Sequence, residues 1–176
     1  MKKHLIIGNP ISHSLSPRIH NYWFQENNID GEYDKILLKE NEIEPIIQKI
    51  KTNEIHGMNV TVPYKQTVIS CIETLSENAK ITNSVNTIFN KGGKIHGDNT
   101  DIYGFEKSLL NKKIELKNKE AFIFGAGGVV PSIILALSNL KVKKIYVSNR
   151  TLKNANLIKE KFDFIEVVQW EKIIDC

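Results

Sequence analysis

The stretch that decides the fold is Ala121-Phe122-Ile123-Phe124-Gly125-Ala126-Gly127-Gly128, an apolar run that ends in a glycine-rich turn. The apolar residues predict a buried strand, and the pattern that follows to Leu140 predicts a helix. Glycine permits a tight turn between them, and a helix N-terminus offers unpaired N–H groups and a positive dipole end to an anion. Such a turn is typical of folds that hold the pyrophosphate of a dinucleotide.

The glycine spacing departs from the usual pattern at the two residues Val130 and Pro131. Val130 occupies the place of the third glycine, and Pro131 follows it. Proline is tolerated there because the first N–H groups of a helix have no intrahelical partner. We therefore expect the turn and the helix to form, either with phosphate contacts of altered detail or as a tight turn without a ligand.

The chain beyond the glycine turn continues to alternate strands and helices. Residues 144–147 and 164–168 are predicted to be strands, and residues 151–162 are predicted to be the helix between them. Short connections between alternating elements favour a parallel, doubly wound sheet. Because three strands make only half of a dinucleotide-binding fold, we expect either a minimal half-fold or a fragment of a longer chain.

The predicted strand at residues 144–147 is followed by a cation where an acid is usual. NAD-binding folds commonly place Asp or Glu here to bind the ribose 2′-hydroxyl. This chain instead has Ser148-Asn149-Arg150-Thr151, followed by Lys153 on the helix. A guanidinium can bind a 2′-phosphate through two hydrogen bonds and can stack on adenine. The residues therefore predict NADP as the cofactor, with two solvated surface cations as the alternative.

The first zone of the chain also mixes strand-like and helical patterns. Ser16 and Pro17 suit the start of a helix, as N-cap and first helical residue. Ile19, Tyr22 and Trp23 follow at helical spacing, so we expect them to face the core. The other predicted elements are strands at 5–7, 36–38 and 58–62, a helix around 43–50, and a hairpin of 85–89 with 94–97.

Two serines lie near the start of the first predicted helix. Ser14 and Ser16 could both donate hydrogen bonds to an anion at the helix N-terminus. Neutral donors suit a small carboxylate that must be held and then released. Helix capping alone is the alternative, above all for Ser16.

Polar residues also accompany the apolar strands of the first zone. Asn59 and Thr61 should share one face of their strand, and Lys65 comes directly after its end. Asn is rare in strands, so Asn59 indicates a ligand or a specific polar partner. Asn86 lies beside another apolar strand, and Asp101 lies where the first zone meets the second, the expected place of a cleft. Together these groups could bind a polyhydroxylated small molecule, although Lys65 alone could equally be a surface lysine.

The composition of the chain excludes several classes of protein. Its 176 residues are 41% hydrophobic and 25% charged, with a net charge of +4 that is not clustered into a nucleic-acid-binding surface. No apolar run could span a membrane, and the N-terminus lacks the features of a signal peptide, so a cytoplasmic location is expected. Cys71 and Cys176 show no metal-binding or disulfide spacing, so no metal site is expected.

Six ordered motifs resemble the shikimate dehydrogenase family over essentially the whole chain. They are residues 8–17, 59–65, 85–87, 97–101, 125–128 and 149–151. The resemblance implies an α/β fold, with an N-terminal α/β substrate domain at residues 1–102 and an incomplete Rossmann-type NADP-binding domain at residues 103–176. Chains of this family normally continue with further strands and a C-terminal helix, so this chain is expected to be truncated at its C-terminus.

The resemblance also implies a role for each candidate residue. The substrate site would hold the shikimate carboxylate with two serines and bind the ring hydroxyls with the other members: Ser14, Ser16, Asn59, Thr61, Lys65, Asn86 and Asp101. Lys65 and Asp101 would form the catalytic pair. The cofactor site would comprise the pyrophosphate turn and the 2′-phosphate group: Gly125, Ala126, Gly127, Gly128, Asn149, Arg150, Thr151 and Lys153.

The implied reaction is the reversible reduction of 3-dehydroshikimate to shikimate by NADPH, on the route to chorismate and the aromatic amino acids. Protonated Lys65 would stabilise and protonate the carbonyl oxygen, while Asp101 would orient the ammonium. Two alternatives stay open: quinate as a substrate, and a non-catalytic fragment that binds shikimate without turnover. The expected partners are small molecules, with no nucleic acid and no membrane, in a monomer or a homodimer.

Overall fold

The computed structural model describes residues 1–170, and the chain divides into two compact units. Unit 1 is Met1–Thr100 and unit 2 is Asp101–Cys176. Cys176, which was expected to form no disulfide, lies outside the described residues. The division falls two residues before the boundary expected after residue 102, and it keeps the helix that begins at Asp101 whole. Within residues 1–170, no helix is long and apolar enough to cross a membrane.

Unit 1 is an α/β unit built on one mixed sheet. Its strands are β1 (Lys2–Gly8), β2 (Gly31–Leu37), β3 (Gly57–Val60), β4 (Thr74–Leu75), β5 (Thr87–Lys91) and β6 (Lys94–Asp98), and its helices are α1 (Ser16–Glu26), α2 (Ile43–Lys51) and α3 (Glu77–Thr82). The strand order is β2-β1-β3-β5-β6-β4. β1 pairs in parallel with β2 and β3, whereas β5 runs antiparallel to β3 and β6, which confirms the predicted hairpin.

The pairing of β1, β3 and β5 gathers three segments at one edge of the sheet. Ile7 of β1 is in register with Val60 of β3, so the segments that follow these strands leave the sheet side by side. β5 runs the opposite way and begins at the same edge, where Thr87 pairs with Asn59. The edge therefore brings together segments of unit 1 that contain Ser14, Asn59 and Asn86, three of the polar residues predicted for the substrate site.

The core of unit 1 lies between the sheet and α2. Ile43, Ile47 and Ile50 of α2 are buried, as the helical spacing of the isoleucines predicted. They pack in a cluster with residues from the strands, among them Ile7 and Ile88, which are fully buried. Burial of this cluster is the main stabilising contribution to the unit.

Helix α1 differs from the prediction in its start. The helix begins at Ser16, and Leu15 rather than Ser16 occupies the N-cap position. The Ser14 hydroxyl accepts a hydrogen bond from the Ser16 N–H at 3.3 Å, so the side-chain contact at this helix end comes from Ser14, the residue before the N-cap. Pro17 lies within the first turn, as expected.

Helix α1 also buries a different face from the one predicted. Ile19, Tyr22 and Trp23 are 43%, 56% and 52% exposed, so the prediction that they face the core was wrong. The Asn21 side chain explains the rotation of the helix, because it accepts from the backbone N–H of Tyr33 and donates to the Tyr33 carbonyl, both at 2.8 Å. These two bonds turn the Asn21 side of α1, which also carries the partly buried Phe24, toward β2 and leave Ile19, Tyr22 and Trp23 on the outer side.

Strand boundaries in unit 1 also differ from the predicted ones, as β2 and β3 show. β2 begins at Gly31 rather than at residue 36, and it ends at Leu37. β3 ends at Val60 rather than at residue 62. The chain turns away after Thr61, where the N–H of Tyr64 donates to the Thr61 carbonyl at 3.0 Å.

Unit 2 has a parallel sheet, as the alternating pattern predicted. Its elements are the helices α4 (Asp101–Asn111), α5 (Val130–Asn139) and α6 (Leu152–Lys159) and the strands β7 (Glu120–Phe124), β8 (Lys144–Ser148) and β9 (Glu166–Val168). The strands pair in the order β7-β8-β9. Ile134 of α5, Val147 of β8 and Ala155 of α6 are fully buried in the core of this unit. Helix α6 is shorter than the predicted range 151–162.

Replacing Ile47 by Ala should destabilise unit 1 by about 2–5 kcal/mol, because Ile47 is fully buried and its loss leaves a cavity in the core. The matched change Ile19→Ala, on the outer side of α1, should alter the free energy of unfolding by about 0.5 kcal/mol or less. Urea unfolding followed by circular dichroism measures both values. Equal losses in the two variants would contradict the burial described for these helices.

Candidate functional site

The candidate site of unit 1 lies where β1 and β3 end and β5 begins. A Cβ atom on Gly8 would lie 2.6 Å from Thr61 Cγ2 and 3.0 Å from the Val62 carbonyl oxygen, so only glycine permits this close approach of the two segments. The backbone N–H of Asn9 donates to the Val62 carbonyl at 3.0 Å. The segment that leads to Ser14 is therefore fixed against the segment that contains Thr61.

Ser14 and Ser16 are half-buried at the start of α1. Ser14 Oγ accepts from the Ser16 N–H and keeps its own proton for donation. The Ser16 hydroxyl makes no hydrogen bond to any residue in the range 1–170. Capping by Ser16, the alternative considered from the sequence, is not what the structure shows, and both hydroxyls can donate to a ligand.

Asn59 is the centre of a hydrogen-bond network in unit 1. Its Nδ2 donates to the Asn86 carbonyl at 3.1 Å and to Thr87 Oγ1 at 3.2 Å. Its Oδ1 accepts from the Tyr33 hydroxyl at 2.6 Å. The unusual occurrence of Asn in a strand indicated a polar partner, and Tyr33 is one, although no feature of the sequence singled it out.

Asn86 is held by the threonines on either side of the β5–β6 hairpin. Its Oδ1 accepts from Thr87 Oγ1 and from the Thr100 N–H, both at 3.0 Å. Its Nδ2 donates to Thr100 Oγ1 at 3.0 Å. Thr87 and Thr100 lie within the sequence motifs at residues 85–87 and 97–101, but neither was predicted to be a site residue. Their contacts fix the orientation of the Asn86 amide.

Lys65 and Asp101 belong to different units. Lys65 follows β3, is half-buried, and its carbonyl accepts from the Val85 N–H at 2.8 Å. Asp101 is the first residue of α4 and is half-buried. A carboxylate at this place also suits the positive end of the helix dipole. The pairing of Lys65 with Asp101 stays a prediction.

The glycine turn of unit 2 leaves room for a ligand at the start of α5. A Cβ atom added at Gly127 or Gly128 would meet no atom within 4 Å, and neither residue has a left-handed backbone, so the chain itself does not require glycine there. Gly125 has a φ of 116°, which side chains rarely adopt. Among the described residues, no acceptor pairs with the N–H of Gly127, Gly128 or Val129. The turn is thus an open cradle of donors that fits a pyrophosphate.

Val130 and Pro131 begin α5 and are both buried. Val130 packs in the apolar core of unit 2 beside Ile134. The departure from the usual glycine spacing is therefore accommodated by packing, and the strand, turn and helix form as predicted.

The residues after β8 lie at the same sheet edge as the glycine turn. Phe124 is in register with Ser148, and the N–H of Gly125 donates to the Ser148 carbonyl at 2.7 Å. Asn149 Nδ2 donates to the carbonyl of Thr151, which is the N-cap of α6. The turn and the end of β8 are thus neighbours, as a dinucleotide site requires.

Two cations, Arg150 and Lys153, follow β8. Arg150 and Lys153 are exposed, and neither forms an ion pair within residues 1–170. No acidic residue occupies the segment 148–151 that follows the strand. This charge distribution fits the 2′-phosphate of NADP better than the free 2′-hydroxyl of NAD.

Two histidines lie near Tyr33 on the α1 side of the sheet. His20 stacks on the Tyr33 ring with centroids 4.1 Å apart and planes 5° apart. Burial lowers the pKa of His4 and of His20, and the nearby His56 lowers the pKa of His4 further. Within residues 1–170, no cluster of three or more His, Cys, Asp and Glu side chains could hold a metal ion.

The arrangement in unit 2 is that of a Rossmann-type dinucleotide-binding protein: the first strand of a parallel sheet runs into a glycine turn, and a basic residue, Arg150, follows the second strand. Two family models match the chain. The shikimate dehydrogenase substrate binding domain matches residues 6–88, and shikimate / quinate 5-dehydrogenase matches residues 108–176. The chain belongs to the shikimate dehydrogenase family, which confirms the resemblance found in the sequence.

Curated proteins from several organisms that are similar to this chain are named shikimate dehydrogenase (NADP(+)). The shikimate dehydrogenase (NADP(+)) of Pelagibacter ubique is 51% identical over 174 residues, which are 99% of this chain and 66% of the relative. That of Clostridium perfringens strain 13 is 41% identical over 155 residues, which are 88% of this chain and 57% of the relative. The chain thus spans about two thirds or less of the length of these relatives.

Solved structures of the family share the fold. Shikimate dehydrogenase from Aquifex aeolicus is 33% identical, with a TM-score of 0.89 over 96% of this chain and 62% of that chain. Shikimate 5-dehydrogenase from Thermus thermophilus, in complex with NADP(H) and shikimate, is 27% identical, with a TM-score of 0.87 over 96% of this chain and 63% of that chain. These likenesses confirm the predicted α/β fold class.

The stability of unit 1 should fall as the pH drops below the ordinary histidine pKa of 6.5. Because the pKa of His4 and of His20 is lowered in the folded protein, the folded state binds fewer protons on them than the unfolded chain does, so the free energy of unfolding decreases toward acid. His20→Phe, which keeps a ring against Tyr33, should show a smaller decrease between about pH 7 and about pH 5.5.

Urea unfolding at a series of pH values measures this effect. The matched control is His13→Phe, because His13 is exposed in the loop before α1. It should leave the decrease of the wild type unchanged. The same decrease in His20→Phe as in the wild type would show that His20 does not contribute to the acid sensitivity.

Proposed function

We propose that the protein is an NADP-dependent shikimate dehydrogenase, which reversibly reduces 3-dehydroshikimate to shikimate with NADPH. The observation that carries the proposal is the 51% identity, over 99% of the chain, with a curated shikimate dehydrogenase (NADP(+)) of which it spans 66%. The relative from Thermus thermophilus, solved with NADP(H) and shikimate, supports the same ligands. The reaction would be a step toward chorismate and the aromatic amino acids.

Residues 1–102 would form the substrate domain. Ser14 and Ser16 would hold the carboxylate of shikimate, which is supported by hydroxyl groups that can still donate. Asn59, Thr61 and Asn86 would bind the ring hydroxyls. Support for this role comes from the network around Asn59 and Asn86, because the amides are oriented before a ligand arrives.

Lys65 and Asp101 would manage the proton of the reaction. Reduction of the ketone adds a hydride to carbon and a proton to oxygen, and bound NADPH would supply the hydride. The Lys65 ammonium would stabilise the charge that develops on oxygen and donate the proton. Asp101 would orient the ammonium and bind an adjacent hydroxyl. Oxidation of shikimate would need the neutral amine of Lys65 to accept the proton, so this direction should be favoured at higher pH.

Residues 103–176 would form part of the NADP-binding domain. The open turn of Gly125, Ala126, Gly127 and Gly128 would bind the pyrophosphate through backbone N–H groups. The 2′-phosphate would be held by the side chains after β8, namely Asn149, Arg150, Thr151 and Lys153. The exposed cations without ion-pair partners in the described chain support this assignment.

Quinate is a second candidate substrate. The family model that matches residues 108–176 is described as shikimate / quinate 5-dehydrogenase, which favours testing both. Quinate differs by a hydroxyl that a small change of the pocket could accommodate. A cytoplasmic location and a monomeric or homodimeric state complete the proposal, and both stay predictions.

NADP-dependent oxidation of shikimate, followed through nicotinamide absorbance, tests the activity, with quinate and NAD in parallel. We expect turnover with shikimate and NADP. Lys65→Ala should lower kcat by about 10²- to 10⁴-fold with a smaller change in KM. The control Lys80→Ala, which removes only an exposed ion pair with Glu77, should leave kcat within about twofold.

A Lys65→Ala enzyme with wild-type kcat would remove Lys65 from the mechanism. Shikimate binding by the wild type without turnover would contradict the proposed activity and favour a non-catalytic binding fragment.

Arg150→Ala should weaken NADP binding by about 10- to 100-fold, because it removes charge-assisted hydrogen bonds to the 2′-phosphate. NAD, which lacks this phosphate, should bind both proteins within about twofold. Isothermal titration of each nucleotide measures the difference, and Lys161→Ala, an exposed cation after α6, serves as the control. Equal losses of affinity for NADP and NAD in Arg150→Ala would show that Arg150 does not bind the 2′-phosphate.

A further inference from the structure

Tyr33 is a buried side chain of β2 that the proposed mechanism does not use. It is 4% exposed, and its ring stacks on His20. Its hydroxyl lies 2.6 Å from Asn59 Oδ1, and the two residues are 26 positions apart in the chain. A buried tyrosine needs a partner for its hydroxyl, but the short contact with a proposed substrate-binding residue indicates more than satisfaction of a polar group.

The orientation of the Asn59 amide follows from its other contacts. The Asn86 carbonyl can only accept a hydrogen bond, so the Asn59 group that faces it must be the Nδ2 amino group. Oδ1 therefore faces Tyr33, and the Tyr33 hydroxyl must be the donor. Burial raises the pKa of Tyr33, so the hydroxyl keeps its proton at any pH at which the protein would work.

The same contacts limit what Asn59 can offer to a ligand. Both N–H groups of its amide are used, one by the Asn86 carbonyl and one by Thr87 Oγ1. Oδ1 has two lone pairs and uses one for Tyr33. Asn59 is half-buried and borders a hollow of about 330 Å³ in unit 1 that His20, Phe24 and Tyr33 also line, on the α1 side of the sheet. One acceptor site is left for a ligand, and no donor.

We infer that Tyr33 is a positioning residue for the substrate site, which holds the Asn59 carbonyl oxygen in place as an acceptor for one substrate hydroxyl. The inference rests on the proposed function and deepens it. At this point the site would select ligands that present a hydroxyl and reject those that present an ether oxygen, because two acceptors would then face each other.

Tyr33→Phe tests the inference, since it removes the hydroxyl and keeps the ring that stacks on His20. We expect the Kd for shikimate, measured by isothermal titration, to rise by about 3- to 10-fold, as for the loss of one neutral hydrogen bond. The Kd for NADP should stay within about twofold. The matched control is Tyr146→Phe, which removes an exposed hydroxyl bonded to Glu120 in unit 2 and should leave shikimate binding unchanged.

A double-mutant cycle with Asn59→Ala separates positioning from general support of the fold. If Tyr33 acts through Asn59, Tyr33→Phe should change the Kd for shikimate by less than about twofold in the Asn59→Ala background. In turnover assays, Tyr33→Phe should raise KM with kcat within about twofold, because the hydroxyl bound by Asn59 takes no part in the chemistry.

A readout without ligand keeps the inference testable by itself. The side-chain amide resonances of Asn59 in the NMR spectrum should shift in Tyr33→Phe and not in Tyr146→Phe. Unchanged resonances, an unchanged Kd, or an equal rise of Kd in both backgrounds would overturn the role of Tyr33 and leave the proposed function intact. Absence of shikimate binding by the wild type would overturn the proposed function, and the role of Tyr33 with it.

Discussion

Parallel strand pairing is the constraint on which both candidate sites depend. In unit 1 the register of Ile7 with Val60 makes the segments after β1 and β3 leave the sheet together, and Gly8 lets them approach within contact distance. In unit 2 the register of Phe124 with Ser148 places the glycine turn beside the end of β8. Neither site depends on one residue alone, because each gathers segments that are distant in sequence at the carboxyl ends of strands.

The two sites differ in how their polar groups are prepared for a ligand. In unit 1 the amides of Asn59 and Asn86 are already oriented by bonds to Tyr33, Thr87 and Thr100. Orientation before binding lowers the entropy cost of holding a small, polar substrate. In unit 2 the N–H groups of Gly127, Gly128 and Val129 have no acceptor within the described residues, and an anion would provide one. The first site is suited to selecting the shape of a substrate, and the second to holding a charged cofactor.

Local patterns in the sequence were sufficient for the parts of the fold that depend on local physics. The isoleucine spacing of α2 and the alternating elements of unit 2 predicted these elements correctly, because a helix or a buried strand has its own period. The buried face of α1 was predicted wrongly, because the bonds between Asn21 and Tyr33 set its rotation and join residues of different elements. The hydrogen bond from Tyr33 to Asn59 could not be predicted from the sequence for the same reason, because it joins residues of different strands.

The most direct test of the account is a map of the two ligands on the chain by ¹H–¹⁵N NMR, with shikimate and NADP added separately. Shikimate should shift resonances of unit 1, and NADP should shift resonances of unit 2. The expected sets are Ser14, Ser16, Asn59, Thr61 and Asn86 for shikimate and Gly125, Gly127, Gly128, Asn149 and Arg150 for NADP. NADP shifts with none at the glycine turn, or shikimate shifts confined to residues away from the β1–β3 edge, would contradict the account.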